Sequence, residues 1–219
     1  MKFYGDRLKD KEIFKNRKRL LDKQGIDINQ VVSAGLVHGN NIEIVSRKDR
    51  GQRIINTDGL LTKDKNVFLS ITVADCLPIF IYDYKNQVIG LIHGGWKSLA
   101  KNILSLAIQK LVNNFESQPQ NILVGIGPGI GVCHFEVKDD VLQYWKVPPP
   151  NNVFRREEEK IFLDLKKVAK IQLLNLGLKE KNIEINPECT FCLADKYFSY
   201  RREKILNTMM AIIGKKGKI

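Results

Sequence analysis

The chain has 219 residues, 43% of them hydrophobic and 27% charged, with a formal net charge of +12. That length can bury a sizeable core without disulfide staples, and the composition excludes wholesale disorder. No apolar run approaches the roughly 20 residues of a membrane span, and the charged N-terminus lacks the apolar core of a secretory signal. The four cysteines therefore read as reduced thiols of a cytoplasmic protein.

Strands dominate the first half. Runs rich in Val, Ile and Phe predict strands at Val31–Val37, Ile42–Ser46, Val67–Val73, Pro78–Tyr82 and Val88–His93. From Ser98 to Phe115 the period changes. Leu99, Ile103, Leu106, Leu111 and Phe115 recur at helical spacing, with Ser98 as the expected N-cap. Ile122–Ile126 is a further short strand. Pro148-Pro149-Pro150-Asn151-Asn152 and the charged run to Lys160 read as an exposed loop over 146–160 in a single domain spanning 1–219. Asp164 opens a second helix that runs to Leu176 and is closed by Gly177. Ile183–Ile185 and Thr208–Ile213 are late strands. The pattern predicts an α+β (mixed α/β) fold with a large mixed sheet.

The positive charge invites a nucleic-acid reading, but its distribution argues against one. Residues 1–30 hold nine basic and five acidic residues, and residues 196–219 hold seven basic and one acidic; the remainder is close to balanced. No nucleic-acid motif and no aromatic run of the single-strand-binding kind appears. The charge suits attraction of small anions such as phosphate.

Three histidines are present: His38, His93 and His134. Two share a context, the end of an apolar strand followed by glycine: Leu36-Val37-His38-Gly39 and Leu91-Ile92-His93-Gly94-Gly95-Trp96. Each is thus placed at a sheet rim, where a plainer reading is a hydrogen bond to backbone. Val73-Ala74-Asp75-Cys76-Leu77-Pro78 opens the strand before the one ending at His93, so an antiparallel pairing puts Cys76 and His93 at the same edge. Two imidazoles and a thiolate form a three-ligand set that zinc accepts with a fourth position open, and the same donor types also suit a blue-copper centre. A lone cysteine here also reads as a small buried hydrophobe.

Gly125-Ile126-Gly127-Pro128-Gly129-Ile130-Gly131 is neither a dinucleotide fingerprint nor a P-loop. It reads as a tight turn beside a site, with the Gly127 and Gly129 region offering N–H groups to an anion. Cys189-Thr190-Phe191-Cys192 is a C-x-x-C pair for which structural zinc would want a second pair; none is apparent, so the two thiols read as unlinked. Arg201-Arg202 follow Phe198-Ser199-Tyr200 and offer forked donors for an anion.

His38-Gly39, Ala74-Asp75-Cys76-Leu77-Pro78, His93-Gly94-Gly95-Trp96-Lys97-Ser98-Leu99, Ile126-Gly127-Pro128-Gly129-Ile130-Gly131-Val132-Cys133, Cys189-Thr190 and Phe198-Ser199-Tyr200-Arg201-Arg202 together resemble, in order, the signature of the YfiH family, also called laccase-domain or polyphenol-oxidase-like proteins. The resemblance runs from about residue 16 to the C-terminus. It implies a central β-sandwich of mixed sheets flanked by helices, similar to a bacterial toxin deamidase (CNF) fold, with His38, Cys76 and His93 as metal ligands. The activity it implies is zinc-dependent purine nucleoside phosphorolysis, in which adenosine, inosine or guanosine plus phosphate gives base and ribose 1-phosphate. Some members also deaminate adenosine or cleave methylthioadenosine. Older descriptions make the family copper-dependent oxidases, and another links members to peptidoglycan editing. The chain departs from the usual pattern at Leu36, where Gln is common, and at His134, where Cys or another small residue is common. An arginine-bearing N-terminal stretch of the family is shortened here, which places more of the anion binding on Arg201 or Arg202.

The expected site is therefore Cys76, His93 and Asp75 for catalysis, with Asp75 as proton shuttle, and Arg201, Arg202, Gly127 and Gly129 for phosphate. The expected partners are purine nucleosides and phosphate, with no nucleic acid and no membrane, in a monomer or homodimer. Two alternatives stand beside this reading. A metal-free hydrolase would use Cys76 as nucleophile and His93 as base. A copper polyphenol oxidase of the multicopper kind would need far more imidazoles than three histidines supply.

Overall fold

The computed structural model describes residues 7–205 and 207–217; the first six residues of the N-terminal segment lie outside the described residues. In chain order the elements are α1 (Arg7–Lys23), β1 (Val31–Gly35), β2 (Ile42–Ile44), β3 (Arg53–Ile55), β4 (Gly59–Thr62), β5 (Phe68–Val73), β6 (Leu77–Asp83) and β7 (Val88–Gly94). Then follow α2 (Trp96–Ala100), α3 (Ile103–Phe115), β8 (Ile122–Ile126), β9 (Glu136–Val137), α4 (Asp139–Gln143), β10 (Phe154–Glu157) and β11 (Lys160–Leu163). The chain ends with α5 (Leu165–Asn175), β12 (Ile183–Ile185), α6 (Tyr200–Glu203) and β13 (Met209–Gly214). No helix among the described residues is long and apolar enough to cross a membrane.

Two mixed sheets form the expected sandwich. One has the order β13-β5-β1-β3 and the other β12-β8-β6-β7-β4-β2. Alternation along the strands decides what each face meets. In β7, Ile89 and Leu91 join Leu69, Ile71 and Val73 of β5 and Val32 of β1 in the layer between the sheets. Val88 and Ile92 face the other way, with Ile79 and Ile81 of β6, onto Leu104, Ala107 and Leu111 of α3 and Val168 and Leu173 of α5. At about 25 cal/mol per Å² of apolar surface, two such layers supply the main stabilisation of the fold.

The central antiparallel pair positions the chemistry. β6 and β7 register Pro78 against His93 and Leu77 against Gly94, so Cys76 lies across from Gly95 at the same sheet end. His93 shares its side of β7 with Ile89 and Leu91, the sandwich side. His38 follows the end of β1, in the other sheet, so the site sits at one end of the sandwich, between its layers.

Three expectations are corrected. The helix expected from Ser98 to Phe115 is two helices, broken at Asn102, whose φ is 57°. Ser98 is buried inside α2 and caps neither helix; Gly95 and Asn102 occupy the cap positions. The loop expected over 146–160 contains β10, which pairs with β11 in a hairpin and joins β9 in a small third sheet. It is an edge strand whose residues Phe154–Glu157 are half-buried or exposed, so it lacks the apolar signature of a core strand. The Asp164 cap holds as expected, accepting from the Lys167 amide at 2.9 Å, and Gly177 closes α5 with φ 86°.

Candidate metal centre

The ligand-type atoms of His38, Cys76 and His93 all lie within 4.8 Å of one another. Cys76 Sγ is 3.9 Å from His38 Nε2, and the two imidazole rings meet edge to face at 4.8 Å. His93 is buried, Cys76 is half-buried and His38 is exposed, so the cluster runs from the interior to the surface.

Asp58 organises this cluster, and sequence reasoning missed it. Its side chain is fully buried just before β4. One carboxylate oxygen accepts from His93 Nδ1 at 3.0 Å, and the carboxylate also accepts the backbone amides of Val37, His38 and Gly39 at 3.3, 2.9 and 2.8 Å. Three successive amides form an anion-binding nest, and His38 adopts φ 56° to complete it. The His93 amide also donates to the Asp58 carbonyl at 2.8 Å. One residue thus fixes the ring of one ligand and the backbone of another. The Asp58–His93 bond occupies Nδ1 and leaves Nε2 for the cluster, the carboxylate–histidine arrangement that orients metal-ligating imidazoles.

The electrostatics follow from this geometry. Burial raises the Cys76 thiol, but hydrogen bonds with His38 and His93 and their charges outweigh it and hold the thiol down to about 6. Burial opposes a charge on His93, but Asp58 and Cys76 raise it to about 9. Burial likewise raises Asp58, yet His93 and the nest amides keep it below the usual carboxylate range.

The donor set fits a metal ion. One thiolate and two imidazoles suit zinc or a single copper, and an open fourth position follows from three protein ligands. Gly95 lies over the cluster, and a Cβ built on it would sit 3.2 Å from Cys76 Sγ, 3.2 Å from His38 Cδ2 and 3.4 Å from His93 Cε1. The glycine keeps that space clear. Two imidazoles do not make a multicopper cluster, and His134, the third histidine, lies in a different group of side chains.

The remaining expected residues surround Asp75. Its φ is 78°, and its carboxylate accepts the Thr190 hydroxyl and the Arg201 amide, each at 2.7 Å. Both oxygens are thereby engaged in joining the Cys76 turn to the 190–201 segment. Gly127 donates its amide to the Pro78 carbonyl at 2.9 Å, so that N–H is not offered to an anion. A Cβ on Gly127 would meet Pro78 Cγ at 2.8 Å, and one on Gly129 would meet Leu77 Cδ2 at 2.5 Å. These glycines let the loop pack against the start of β6. Arg202 directs its guanidinium to the carbonyls of Thr190, Phe191 and Tyr197 and to the Glu203 carboxylate, at 2.7 to 2.8 Å. Arg201 donates Nη1 to the Glu136 carbonyl at 3.0 Å and lies over the Phe135 ring.

The profile of the family described as multi-copper polyphenol oxidoreductase laccase matches residues 4–216. The purine nucleoside phosphorylase YlmD of Bacillus subtilis is 31% identical over 222 residues, covering 95% of this chain and 79% of that protein. The crystal structure of YfiH from Bacillus licheniformis matches with a TM-score of 0.88 at 32% identity, over 92% of this chain and 80% of that one. That of YlmD from Geobacillus stearothermophilus matches with a TM-score of 0.88 at 31% identity, over 92% of this chain and 79% of that one.

Proposed function

The chain belongs to the multi-copper polyphenol oxidoreductase laccase family, in its YfiH and YlmD branch, and on that premise we propose that it is a zinc-dependent purine nucleoside phosphorylase. The substrates are adenosine, inosine or guanosine with phosphate, and methylthioadenosine falls within the same chemistry. The observation that carries this reading is the Asp58-anchored His93 facing Cys76 and His38 beneath Gly95.

In phosphorolysis the bond from C1′ to the purine nitrogen breaks and its electron pair leaves with the base. A phosphate oxygen bonds C1′, and the proton that phosphate gives up ends on the purine. His38, Cys76 and His93 would hold the metal, and a zinc ion bound there would supply Lewis acidity toward a substrate oxygen or a water. Asp58 keeps His93 in one tautomer. Asp75 is a positioning residue that fixes Cys76 relative to the 190–201 segment. Of the two arginines, Arg201 is assigned to phosphate, because Arg202 is committed to four acceptors within its own segment. Adenosine deamination, with water replacing the C6 amino group as ammonia leaves, is the companion activity proposed for the same centre.

A second reading rests on the line from Asp58 through His93 to Cys76, which has the order of a Cys–His–Asp hydrolase triad without metal. The discriminating experiment is chelation. Phosphate-dependent purine release that a chelator abolishes and zinc restores supports the phosphorylase; activity indifferent to chelation but lost on alkylation of Cys76 supports the triad.

A further inference from the structure

A second set of metal-type donors lies beside the segment that holds Asp75. Cys133, His134, Cys189 and Cys192 bring one sulfur or ring nitrogen each to within 4.8 Å of one another. Cys133 Sγ is 3.6 Å from Cys192 Sγ, and Cys192 Sγ is 3.3 Å from His134 Nδ1. The C-x-x-C pair, read from sequence as two unlinked thiols, therefore has its second pair after all, in the adjacent Cys133 and His134. A parallel bridge between Gly129 and Cys189 brings the two halves together, and the Thr190 amide donates to the Gly129 carbonyl at 3.2 Å.

We propose that Cys133, His134, Cys189 and Cys192 form a second, structural site for a zinc-class divalent cation. Three thiolates and one imidazole complete a tetrahedral shell with no position left for substrate, which separates this site from the three-ligand centre at His38, Cys76 and His93. Thiolates this close repel one another unless a cation lies between them. The surroundings are built for the cluster. The Gly131 amide donates to Cys189 Sγ at 3.1 Å, and a Cβ on Gly131 would crowd Cys133 Sγ at 3.1 Å and Cys189 Cβ at 3.3 Å. The His134 ring stacks on Phe191 at 4.0 Å, which fixes its plane. Lys166, a buried lysine whose Nζ donates to the Glu188 carbonyl at 2.7 Å, brings a positive charge beside a shell whose net charge with a dication is negative. The shell ties the loop after β8 to the turn that carries Thr190, and through Thr190 it braces Asp75 next to Cys76.

The test is metal analysis of the whole protein purified under reducing conditions after growth with zinc. Two zinc ions per chain are expected, falling to one in Cys192→Ser and to one in Cys76→Ala. Cobalt loaded into Cys76→Ala should give the intense visible bands and sulfur-to-cobalt charge transfer of a tetrahedral three-thiolate site, and Cys192→Ser on that background should abolish them. The Cys76→Ala spectrum does not depend on the folding of the Cys192 variant, because it is recorded in a chain that keeps all four donors of the second site. One zinc per wild-type chain that vanishes in Cys76→Ala overturns the proposal. So does a titration of the unfolded, freshly isolated protein that finds two of its four thiols already joined and no cobalt spectrum. A protein with one second-site zinc and no phosphorolysis would leave this site standing and sink the phosphorylase reading alone.

Discussion

Asp58 accepts the Nδ1 proton of His93 at 3.0 Å while the same carboxylate gathers the amides of Val37, His38 and Gly39. Two ligand-bearing segments from different sheets are thereby locked to one buried charge. The His38, Cys76 and His93 cluster at the sandwich end depends on a residue outside the donor set.

Asp58→Asn should therefore weaken zinc binding by about 10- to 100-fold, the usual cost of losing an oriented second partner of a ligating histidine. Competition with a chromophoric chelator measures it. Unchanged affinity would show that His93 is held by packing alone.

Gly95→Ala should be tolerated by the backbone, since Gly95 has φ −73°. Its new Cβ would stand 3.2 Å from Cys76 Sγ and His38 Cδ2. Metal occupancy and kcat/KM should both fall, the latter about tenfold or about 1.4 kcal/mol of transition-state stabilisation, with a small change in Tm. A variant with normal metal content would contradict the assignment of that space to the ion.

The two arginines should separate. Arg202→Lys removes a fork that holds three carbonyls and Glu203, and should cost about 2 kcal/mol of stability in urea unfolding. Arg201→Ala should cost about 1 kcal/mol in unfolding, for its bond to the Glu136 carbonyl, and raise the KM for phosphate well above its effect on the nucleoside. Equal effects on both substrates would remove Arg201 from the phosphate site.

How much of this was readable in the sequence depended on range. The β6–β7 pair was legible because Cys76 and His93 flank two adjacent apolar runs, so their meeting at one edge follows from antiparallel pairing. Asp58 was not, because it belongs to no motif and its partner lies 35 residues away. An aspartate preceding the apolar run Gly59–Thr62 was the available signal. α1 was missed because Arg7–Lys23 is densely charged and shows no clear apolar stripe. The second donor set was missed for the same reason as Asp58: Cys133 and Cys192 are 59 residues apart and meet through the pairing of the Gly129 and Cys189 segments. The Gly127–Gly131 turn looked like an anion cradle, yet its amides at Gly127 and Gly131 serve Pro78 and Cys189.

Stability should also depend on acid through Asp83, which is buried at the end of β6 and accepts the amides of Lys85 and Asn86 and the Asn86 side chain at 2.9, 3.1 and 3.0 Å. Burial raises its carboxyl, but the Asn86 and Lys85 donors outweigh burial and lower it. A depressed folded value means the contribution is present above the unfolded value of about 4 and is lost as pH falls through the folded one. Asp83→Asn should therefore lower stability at pH 7 by about 1 to 2 kcal/mol, and the gap to wild type should close in urea titrations below about pH 4. A gap that persists at low pH would mean the charge contributes nothing.

The most direct test of the phosphorylase assignment is a product analysis. Zinc-loaded protein is incubated with adenosine, with and without phosphate, beside Cys76→Ala, and the products are separated by chromatography. The account predicts adenine and ribose 1-phosphate that appear with phosphate and are absent in the variant. Adenosine left intact, or products equally abundant in Cys76→Ala, would contradict it.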